Sequence, residues 1–380
     1  MIYGNKCPKC GLMQLPGATC KSCGTSLGAP TQHPVSPQFN DPRETTFPSM
    51  PAKPEEAKNP LLAGTEAGRS HRFSFHGTGA VLFGIYVVNL LLTIITLGFY
   101  YFWGKVKVWG YLLGQAEFER DRFTYHGTGK ELLMGFLKAL LIFGIPIALL
   151  NFGPELLQLG GSARMVTAFL VYAVVLLLLP FAMVGARRYR LSRTSWRGIR
   201  FSFRGQILDF IKLFLGGLFL SVLTLGFYYP FFATRQYGFM TTNSYLGNQK
   251  FDFDGKGREL FGPFVLALAL TIPTLGLYWY WYLAKKQRFF WEHTTFGSAR
   301  FRYTATGGAL LSLHLGNMLL LLLTVGLGWS WVVIRRVRFA FHYLFLEGTL
   351  DLAGIRQQAQ AASATGESLT DLTGGGFDLG

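Results

Sequence analysis

The phrase RFSFHGTG, residues 72–79, returns fifty residues later as RFTYHGTG, residues 122–129. Related phrases begin with RFSFRG at 200, KFDFDG at 250 and RFRYTATG at 300. In each phrase the first residue is basic, the second is phenylalanine and the fourth is aromatic. Because a recurring period is the signature of a repeat architecture, we divide this part of the chain into five repeats, numbered from these starts.

A second marker keeps the same register. A Thr-x-Gly step lies 24 residues after the start of repeats 1, 3, 4 and 5. Repeat 2 lacks it, and 78 rather than 50 residues separate its start from the next start. We place this insertion around 151–164. The four steps begin at Thr96, Thr224, Thr274 and Thr324.

Each repeat predicts a short strand followed by helices. The apolar residues of the opening phrase alternate with period two, which is a strand pattern, and a glycine follows it in most repeats. Strand-like runs that end in glycine precede the later phrases and predict β-hairpins. Since open sheet edges cannot face hydrocarbon, we expect the hairpins to lie at a membrane surface and to pair with one another.

The composition indicates an integral membrane protein. Half of the 380 residues are hydrophobic, 15% are charged and the mean hydropathy is +0.29. About twenty apolar residues cross a bilayer as a helix, and six stretches meet that length: 80–103, 131–151, 165–186, 207–232, 260–283 and 308–334.

The fold class predicted from these patterns is a mainly α, polytopic membrane protein. Five repeats of about fifty residues would each supply a short strand or hairpin and a transmembrane helical hairpin that turns at the Thr-x-Gly step. This arrangement makes all repeats equivalent and gives ten crossings. Six crossings, one for each apolar stretch, remain the alternative.

The net charge of +16 favours contact with anionic lipid over contact with nucleic acid. Tyr and Trp cluster beside the Thr-x-Gly steps, as expected near one face of a membrane. No signal peptide precedes the first cysteines. We therefore expect a multi-pass membrane protein with both termini in the cytoplasm.

All four cysteines lie in CPKCGLMQLPGATCKSCG, as two C-x2-C pairs. Two such pairs suit tetrahedral zinc, and four protein ligands make the ion structural because no open position remains. Two disulfides or free thiols are the alternative, which a reducing cytoplasm disfavours. The predicted ligands are Cys7, Cys10, Cys20 and Cys23.

The predicted domain order follows from these features. Residues 1–28 form a zinc ribbon, which could recruit a cytoplasmic protein partner. Residues 29–70 are rich in proline and predict a disordered linker. Residues 71–354 form the repeat-built membrane domain, and 355–380 form a disordered tail.

In-register polar residues are the candidate sites of the membrane domain. A basic residue lies 35 positions after the start of every repeat except repeat 2. These cations either snorkel to phosphate headgroups or line a route for an anion. Asn89 and Asn317 share another position, where hydrogen bonding between helices is favoured over contact with a substrate. The candidate anion- or lipid-contacting residues are Lys107, Arg235, Lys285 and Arg335.

The repeated phrases, TLGFYYFWGKVKVWGYL and GKGRELFGPF resemble the YjgN family of bacterial inner-membrane proteins. The resemblance covers about 71–354 and implies a location rather than a chemistry, because the family has no assigned activity. The zinc ribbon and linker are additions to the family pattern. No Ser-His-Asp or Cys-His arrangement and no pair of membrane carboxylates is present, so we predict no enzymatic activity.

Two functions from different classes fit these features. The first is a transporter or channel for an anionic or lipid-like solute, lined by the in-register cations. The second is a membrane scaffold that does not transport, in which the zinc ribbon recruits a partner and the basic helices hold anionic lipid. An enzyme acting on lipids is a distant third.

Overall fold

The computed structural model describes residues 5–6, 13–14, 70–158, 160–352 and 354–357. The chain divides into two parts, 1–58 and 59–380. In the first part, β1 (Asn5–Lys6) pairs antiparallel with β2 (Met13–Gln14), with Lys6 opposite Met13. The four cysteines and nearly all of the predicted linker and of the predicted tail lie outside the described residues.

In the second part, every repeat contributes one long and one short strand. The long strands carry the repeated phrase, in which the two aromatic residues alternate with residues of other types. They are β3 (Ser70–Phe75), β5 (Asp121–Tyr125), β7 (Ile199–Phe203), β9 (Gln249–Phe253) and β11 (Ala299–Tyr303). The short strands are β4 (Ala116–Phe118), β6 (Thr194–Trp196), β8 (Ser244–Leu246), β10 (Thr294–Phe296) and β12 (Leu344–Glu347).

These ten strands close into an antiparallel barrel. Tight turns join β4, β6, β8 and β10 to the long strand that follows each of them. In the β6–β7 turn, Arg197 and Gly198 both have positive φ, as expected for a two-residue hairpin turn that follows the twist of the strands. The last strand pairs with the first, with Leu346 opposite His71. The barrel therefore closes through two strands at opposite ends of the repeat region.

Two helices follow each long strand, and they stand at one end of the barrel. We call them the first and second helix of the repeat. The first helices are α1 (Gly79–Ile95), α3 and α4 (Gly129–Ala139 and Ile145–Leu156, joined by a π-helical turn), α6 (Ile207–Leu223), α8 (Gly257–Ala269) and α10 (Gly307–Leu323). The second helices are α2 (Tyr101–Gly114), α5 (Gly161–Ser192), α7 (Tyr229–Thr242), α9 (Trp279–Glu292) and α11 (Trp329–Tyr343).

The helices pack in sequence around a ring. Each first helix contacts the second helix of its own repeat and that of the preceding repeat, so α1 packs against both α2 and α11. A small residue faces a large one where the two helices of a repeat meet. In repeat 3 the ring of Phe232 lies against Gly217, which leaves no room for a Cβ atom there.

The predicted fold class is wrong. A closed ten-stranded barrel lies at the centre of the repeats, and only two helical stretches among the described residues are long and apolar enough to cross a membrane, Gly129–Leu156 and Arg164–Ser192. Both belong to repeat 2. The insertion there lengthens two helices instead of adding a loop. In the other repeats each helix has 13–17 residues, or about 20–26 Å at 1.5 Å per residue, which is shorter than a hydrocarbon core of about 30 Å.

The Thr-x-Gly step is the turn between the two helices of a repeat. In repeat 1 the Thr96 hydroxyl donates to the Leu92 carbonyl and accepts from the Tyr100 N–H, and the Gly98 N–H bonds the Thr93 carbonyl. Repeats 3, 4 and 5 reproduce this pattern around Thr224, Thr274 and Thr324. The threonine therefore caps both helices, and the two residues after it, a leucine or valine and then the glycine, both have positive φ and end the first helix.

Candidate functional site

A ring of phenylalanines lies inside the barrel. Four neighbouring pairs have ring centroids 6.3–6.5 Å apart and nearly parallel planes. Alternate strands of a sheet are about 10 Å apart, so rings this close must converge toward the barrel axis. They are the first phenylalanine of each repeated phrase: Phe73, Phe123, Phe201, Phe251 and Phe301.

A large apolar residue of a short strand lies opposite each of these phenylalanines. Phe123 pairs with Trp196 and Phe301 pairs with Leu346, for example. These partners are buried in one hydrophobic cluster, against which the phenylalanines pack. Ten apolar side chains at one level therefore fill the barrel interior. The five partners are Phe118, Trp196, Leu246, Phe296 and Leu346.

The chain after β12 packs against the same cluster. Ile355 is buried in it. The Arg356 N–H donates to Asn248 Oδ1 at 3.0 Å, and the Asn248 N–H donates to the Arg356 carbonyl at 3.1 Å. Asn248 lies in the β8–β9 turn, at the end of the barrel away from the helices. This short segment therefore covers the cluster from that end.

Polar groups lie at the opposite end of the barrel, where the helices begin. Arg187 Nη2 donates to Ser244 Oγ at 3.1 Å, and the Tyr237 hydroxyl lies 3.3 Å from Thr294 Oγ1. Burial raises the pKa of the Tyr237 hydroxyl, with hydrogen bonds to Thr294 and Thr241 opposing the shift. The helical mouth of the barrel thus holds a guanidinium and a neutral phenol above the apolar layer.

The four predicted cations lie on four different second helices, and all are exposed. No contact among them is found in the described part of the chain. The Lys107 ammonium lies 5.3 Å from the centroid of the Tyr100 ring, and the Arg235 guanidinium lies 5.9 Å from that of Tyr228. Arg335 donates weakly, at 3.4 Å, to the Gly316 carbonyl. The four positions are equivalent but do not form one site.

Lys285 borders a cavity of about 530 Å³ between α8, α9 and the start of α10. Arg288 and Glu292 also line it, as do Glu259 and His293, whose side chains lie 3.4 Å apart. The cavity contains charges of both signs. Lys285 therefore shares its cavity with the carboxylates of Glu259 and Glu292.

The two predicted asparagines are both buried but differ in their bonding. Asn89 Nδ2 donates to the Gly104 carbonyl of α2 at 3.1 Å. Within the described part of the chain, neither polar atom of the Asn317 amide has a hydrogen-bond partner. The equivalent of Gly104 in repeat 5 is Val332, whose bulk excludes the close approach that Asn89 uses.

An arginine contact between repeats escaped the sequence analysis. Arg188 donates to the Gly205 carbonyl at 3.0 Å, Arg288 to the Ala305 carbonyl at 3.1 Å and Arg338 to the Gly77 carbonyl at 2.9 Å. In each case the second helix of one repeat bonds the strand-to-helix turn of the next. The sequence signal for this contact was an arginine at the same position of repeats 2, 4 and 5. Glycine stands at that position in repeats 1 and 3, so the regular spacing of the arginines is hard to see.

The predicted zinc ligands lie outside the described residues. Within those residues, no cluster of three or more His, Cys, Asp or Glu side chains could hold a metal ion. The C-x2-C pair of Cys7 and Cys10 falls between the paired strands β1 and β2.

Comparison with known proteins identifies the family. The family of bacterial proteins of unknown function called DUF898 matches three overlapping stretches, 70–270, 248–312 and 309–372. Together they span all five repeats. The chain belongs to the DUF898 family.

The curated relatives of this DUF898 protein carry the name inner membrane protein YjgN. The Escherichia coli K12 protein is 37% identical over 141 residues, and that alignment covers 37% of this chain and 33% of the relative. The Salmonella typhimurium protein is 26% identical over 189 residues, covering 43% and 45%. The chain thus matches less than half the length of these relatives. No solved structure matches it.

These names confirm the resemblance to the YjgN family and place the family in the bacterial inner membrane. The two long apolar helices of repeat 2 agree with that location. This DUF898 protein is therefore an inner-membrane protein, and its family has no assigned activity.

Proposed function

We propose that the protein is a membrane scaffold, which binds anionic lipid through its helices and does not conduct solute through its barrel. The filled barrel interior carries this proposal. A path along the axis would meet the phenylalanine ring and its five apolar partners at one level. An open aqueous pore needs a polar lining, whereas this layer has none.

The exposed in-register cations support the lipid part of the proposal. Lys107 and Arg235 each lie over a tyrosine ring, and neither reaches a carboxylate within 4 Å among the described residues. Basic side chains near a membrane surface are each attracted to anionic lipid by about 1 kcal/mol. Because repeat 2 supplies two crossings in this proposal, the first and last strands of the barrel lie on the same side of the membrane. We propose that this side is the cytoplasm.

The partner-binding part of the proposal concerns the amino terminus. Zinc held by Cys7, Cys10, Cys20 and Cys23 would stabilise a ribbon too short to fold on apolar burial alone. The antiparallel pairing of β1 with β2 supports this, because Cys7 and Cys10 lie between these two strands in the sequence. Metal analysis of the reduced, full-length protein should find one zinc per chain, and Cys20→Ser should abolish it. Retention of a full zinc equivalent by that variant would refute the ligand set.

Measurements of anion flux and of retained lipid distinguish a scaffold from a transporter. Proteoliposomes of the wild type should show no flux of small anions above that of empty vesicles, and mass spectrometry should find anionic lipid retained after purification. Phe251→Ala, which thins the apolar layer, should increase leakage. Phe290→Ala, an aromatic substitution on α9, is the matched control and should leave it unchanged. Saturable anion flux through the wild type would overturn the scaffold.

Transport of an anionic solute is the second candidate. The observation that favours it is the Arg187 guanidinium, which lies at the barrel mouth and is bonded to Ser244. A carrier that opens the apolar layer transiently would use Arg187 to attract its solute. Flux lost in Arg187→Gln but kept in Arg190→Gln would select this candidate.

A further inference from the structure

The four Thr-x-Gly turns present an apolar side chain at an unfavourable backbone position. Leu97, Leu225, Leu275 and Val325 all have φ close to +50°, where glycine or asparagine is normally found. Their side chains are 89–91% exposed. In water, an exposed leucine or valine would gain nothing that offsets this conformation. In an apolar medium, the same side chain would be stabilised by its surroundings.

The backbone of these turns is also suited to hydrocarbon. In repeat 3, each N–H from Thr224 to Tyr229 is bonded within the turn, the Tyr228 N–H through the threonine hydroxyl. Repeats 1, 4 and 5 show the same six bonds. Unpaired backbone groups are not tolerated in lipid, so a turn that pairs all of its N–H groups can enter it.

The connection in repeat 2 is different in kind. It carries Glu155, Gln158 and Arg164, all exposed, whereas no charged residue lies in 213–234, 260–284 or 303–334 around the turns of repeats 3, 4 and 5. Charged groups belong in water or among headgroups. The turn of repeat 2 therefore suits water or the headgroup region, whereas the other four turns suit the hydrocarbon core.

Residue spacing gives those depths. In α5 the 22 residues 165–186 are uncharged, which makes about 33 Å of helix, close to a hydrocarbon core of about 30 Å. This stretch ends at Arg187, two residues past the position equivalent to Lys107. The phosphates of the leaflet that faces the barrel should therefore lie near the level of the in-register cations.

Each exposed turn residue precedes its in-register cation by ten residues, as Leu225 precedes Arg235. The helix from Tyr229 to Arg235 rises about 9 Å, and the turn before it adds to this depth, so the end of the hairpin lies deep in one leaflet of a hydrocarbon core of about 30 Å. We infer that the four short hairpins are re-entrant: they enter the leaflet facing the barrel, end near the middle of the bilayer, and place Lys107, Arg235, Lys285 and Arg335 among anionic phosphates of that leaflet. Only repeat 2 crosses. This goes beyond the proposed function, since it holds whether or not the protein transports.

Cysteine accessibility tests the inference in the full chain, with the four native cysteines replaced by serine. Single cysteines at Leu97, Leu225, Leu275 or Val325 should resist a membrane-impermeant maleimide from both faces of the membrane and react after solubilisation. Gln158→Cys should react from one face and Asn248→Cys, in a barrel turn, from the other. Turn cysteines that react from the same face as Gln158 would show full crossing, and reaction from the face of Asn248 would show that the hairpins stay in water. Either result overturns the inference.

Depth-dependent quenching gives an independent measurement. A fluorophore on Leu225→Cys should be quenched most by lipids brominated near the ends of their acyl chains, and a fluorophore on Gln236→Cys, beside Arg235, by lipids brominated near the headgroup. Equal quenching profiles at the two positions would contradict a hairpin that extends from the phosphates to the bilayer centre. Retained insertion of both variants, checked by alkaline extraction, shows that they have folded into the membrane.

Discussion

The guanidinium of Arg338 donates a hydrogen bond of 2.9 Å to the carbonyl oxygen of Gly77, and so joins the last repeat to the first across 261 residues. The pairing of β12 with β3 closes the same junction within the barrel. Ring closure therefore depends on both a strand pair and a helix-to-turn contact. Arg188 and Arg288 make the equivalent bond within the ring.

We expect Arg338→Gln to lower the free energy of unfolding by about 1 kcal/mol, because hydrogen bonds to charged groups contribute about 1.5–3 kcal/mol and partial exposure reduces this value. Thermal unfolding in detergent measures the change. Arg120→Gln, which removes the same charge from the exposed β4–β5 turn, is the control. Equal, negligible effects of the two substitutions would show that the contact contributes nothing.

Repeat 1 offers the reverse experiment. Gly110 occupies the repeat position that Arg188, Arg288 and Arg338 hold in repeats 2, 4 and 5, and open space surrounds its missing Cβ. Gly110→Ala should stabilise the protein by about 1 kcal/mol through helix propensity, and Gly110→Arg should stabilise it further by bonding the Gly127 carbonyl. In repeat 3 a Cβ on Gly238 would lie 3.1 Å from the Phe253 ring, so Gly238→Arg should destabilise. If Gly110→Arg is no more stable than Gly110→Ala, the arginine contact between repeats does not stabilise the protein at this position.

The two buried asparagines predict opposite responses to similar substitutions. Asn89→Leu removes the bond to Gly104 and crowds that glycine, so it should destabilise by about 1–2 kcal/mol. Asn317→Leu replaces an amide without partners by an apolar group of similar size, so it should leave the stability unchanged or raise it. Unfolding in detergent compares the variants. Matching losses at both positions would mean that Asn317 has a partner that the geometry does not reveal.

Burial raises the pKa of Tyr303, in the barrel, to about 12, with the charge of Tyr343 adding to the shift. The folded state therefore favours the protonated phenol. Its contribution to stability is complete below the ordinary pKa of 10.0 and is lost as the pH rises from 10 to 12. The wild type should lose stability faster than Tyr303→Phe over that interval, while the difference between them stays constant below pH 10. Parallel curves up to pH 12 would contradict this burial.

Local patterns predicted the repeats, the strands and the turns, because those features depend on residues close in sequence. The alternating residues of RFSF form β3, as predicted. The threonine of TLGF, Thr96, caps the helices on both sides of the predicted turn. The barrel could not be predicted in the same way. Its closure pairs Leu346 with His71, and no local signal specifies partners so far apart. The hairpin strand Ala116–Phe118 escaped notice because AEFERD ends without glycine.

Hydropathy also misled the assignment of membrane crossings. An apolar helix that packs in the ring and one that spans a bilayer have the same composition, so only their length separates them. The stretches 80–103 and 308–334 each contain a predicted turn, and the helices on either side of these turns have only 14–17 residues, too few to cross. The in-register cations were found because their spacing is regular. Their separation onto four helices depends on the ring, which the sequence did not reveal.

The in-register cations give the last prediction, because the two proposed functions require different responses from them. If each cation binds phosphate on its own, replacing Lys107, Arg235 or Arg335 with Gln should weaken binding of phosphatidylglycerol by about 1 kcal/mol, roughly fivefold, and double substitutions should add. Lys285→Gln should have a smaller effect, since Glu259 and Glu292 already oppose its charge.

Titration of phosphatidylglycerol into the detergent-solubilised protein, followed by native mass spectrometry, measures this binding. Phosphatidylcholine tests for the anionic headgroup, and Arg120→Gln controls for net charge. Four cations lining one route would act on the same ligand, so pairs of substitutions would be strongly non-additive and solute flux would fall with lipid binding. That outcome would favour the transporter. Additive losses without any change in flux fit separate phosphate contacts around a closed barrel, because the four helices hold their cations apart.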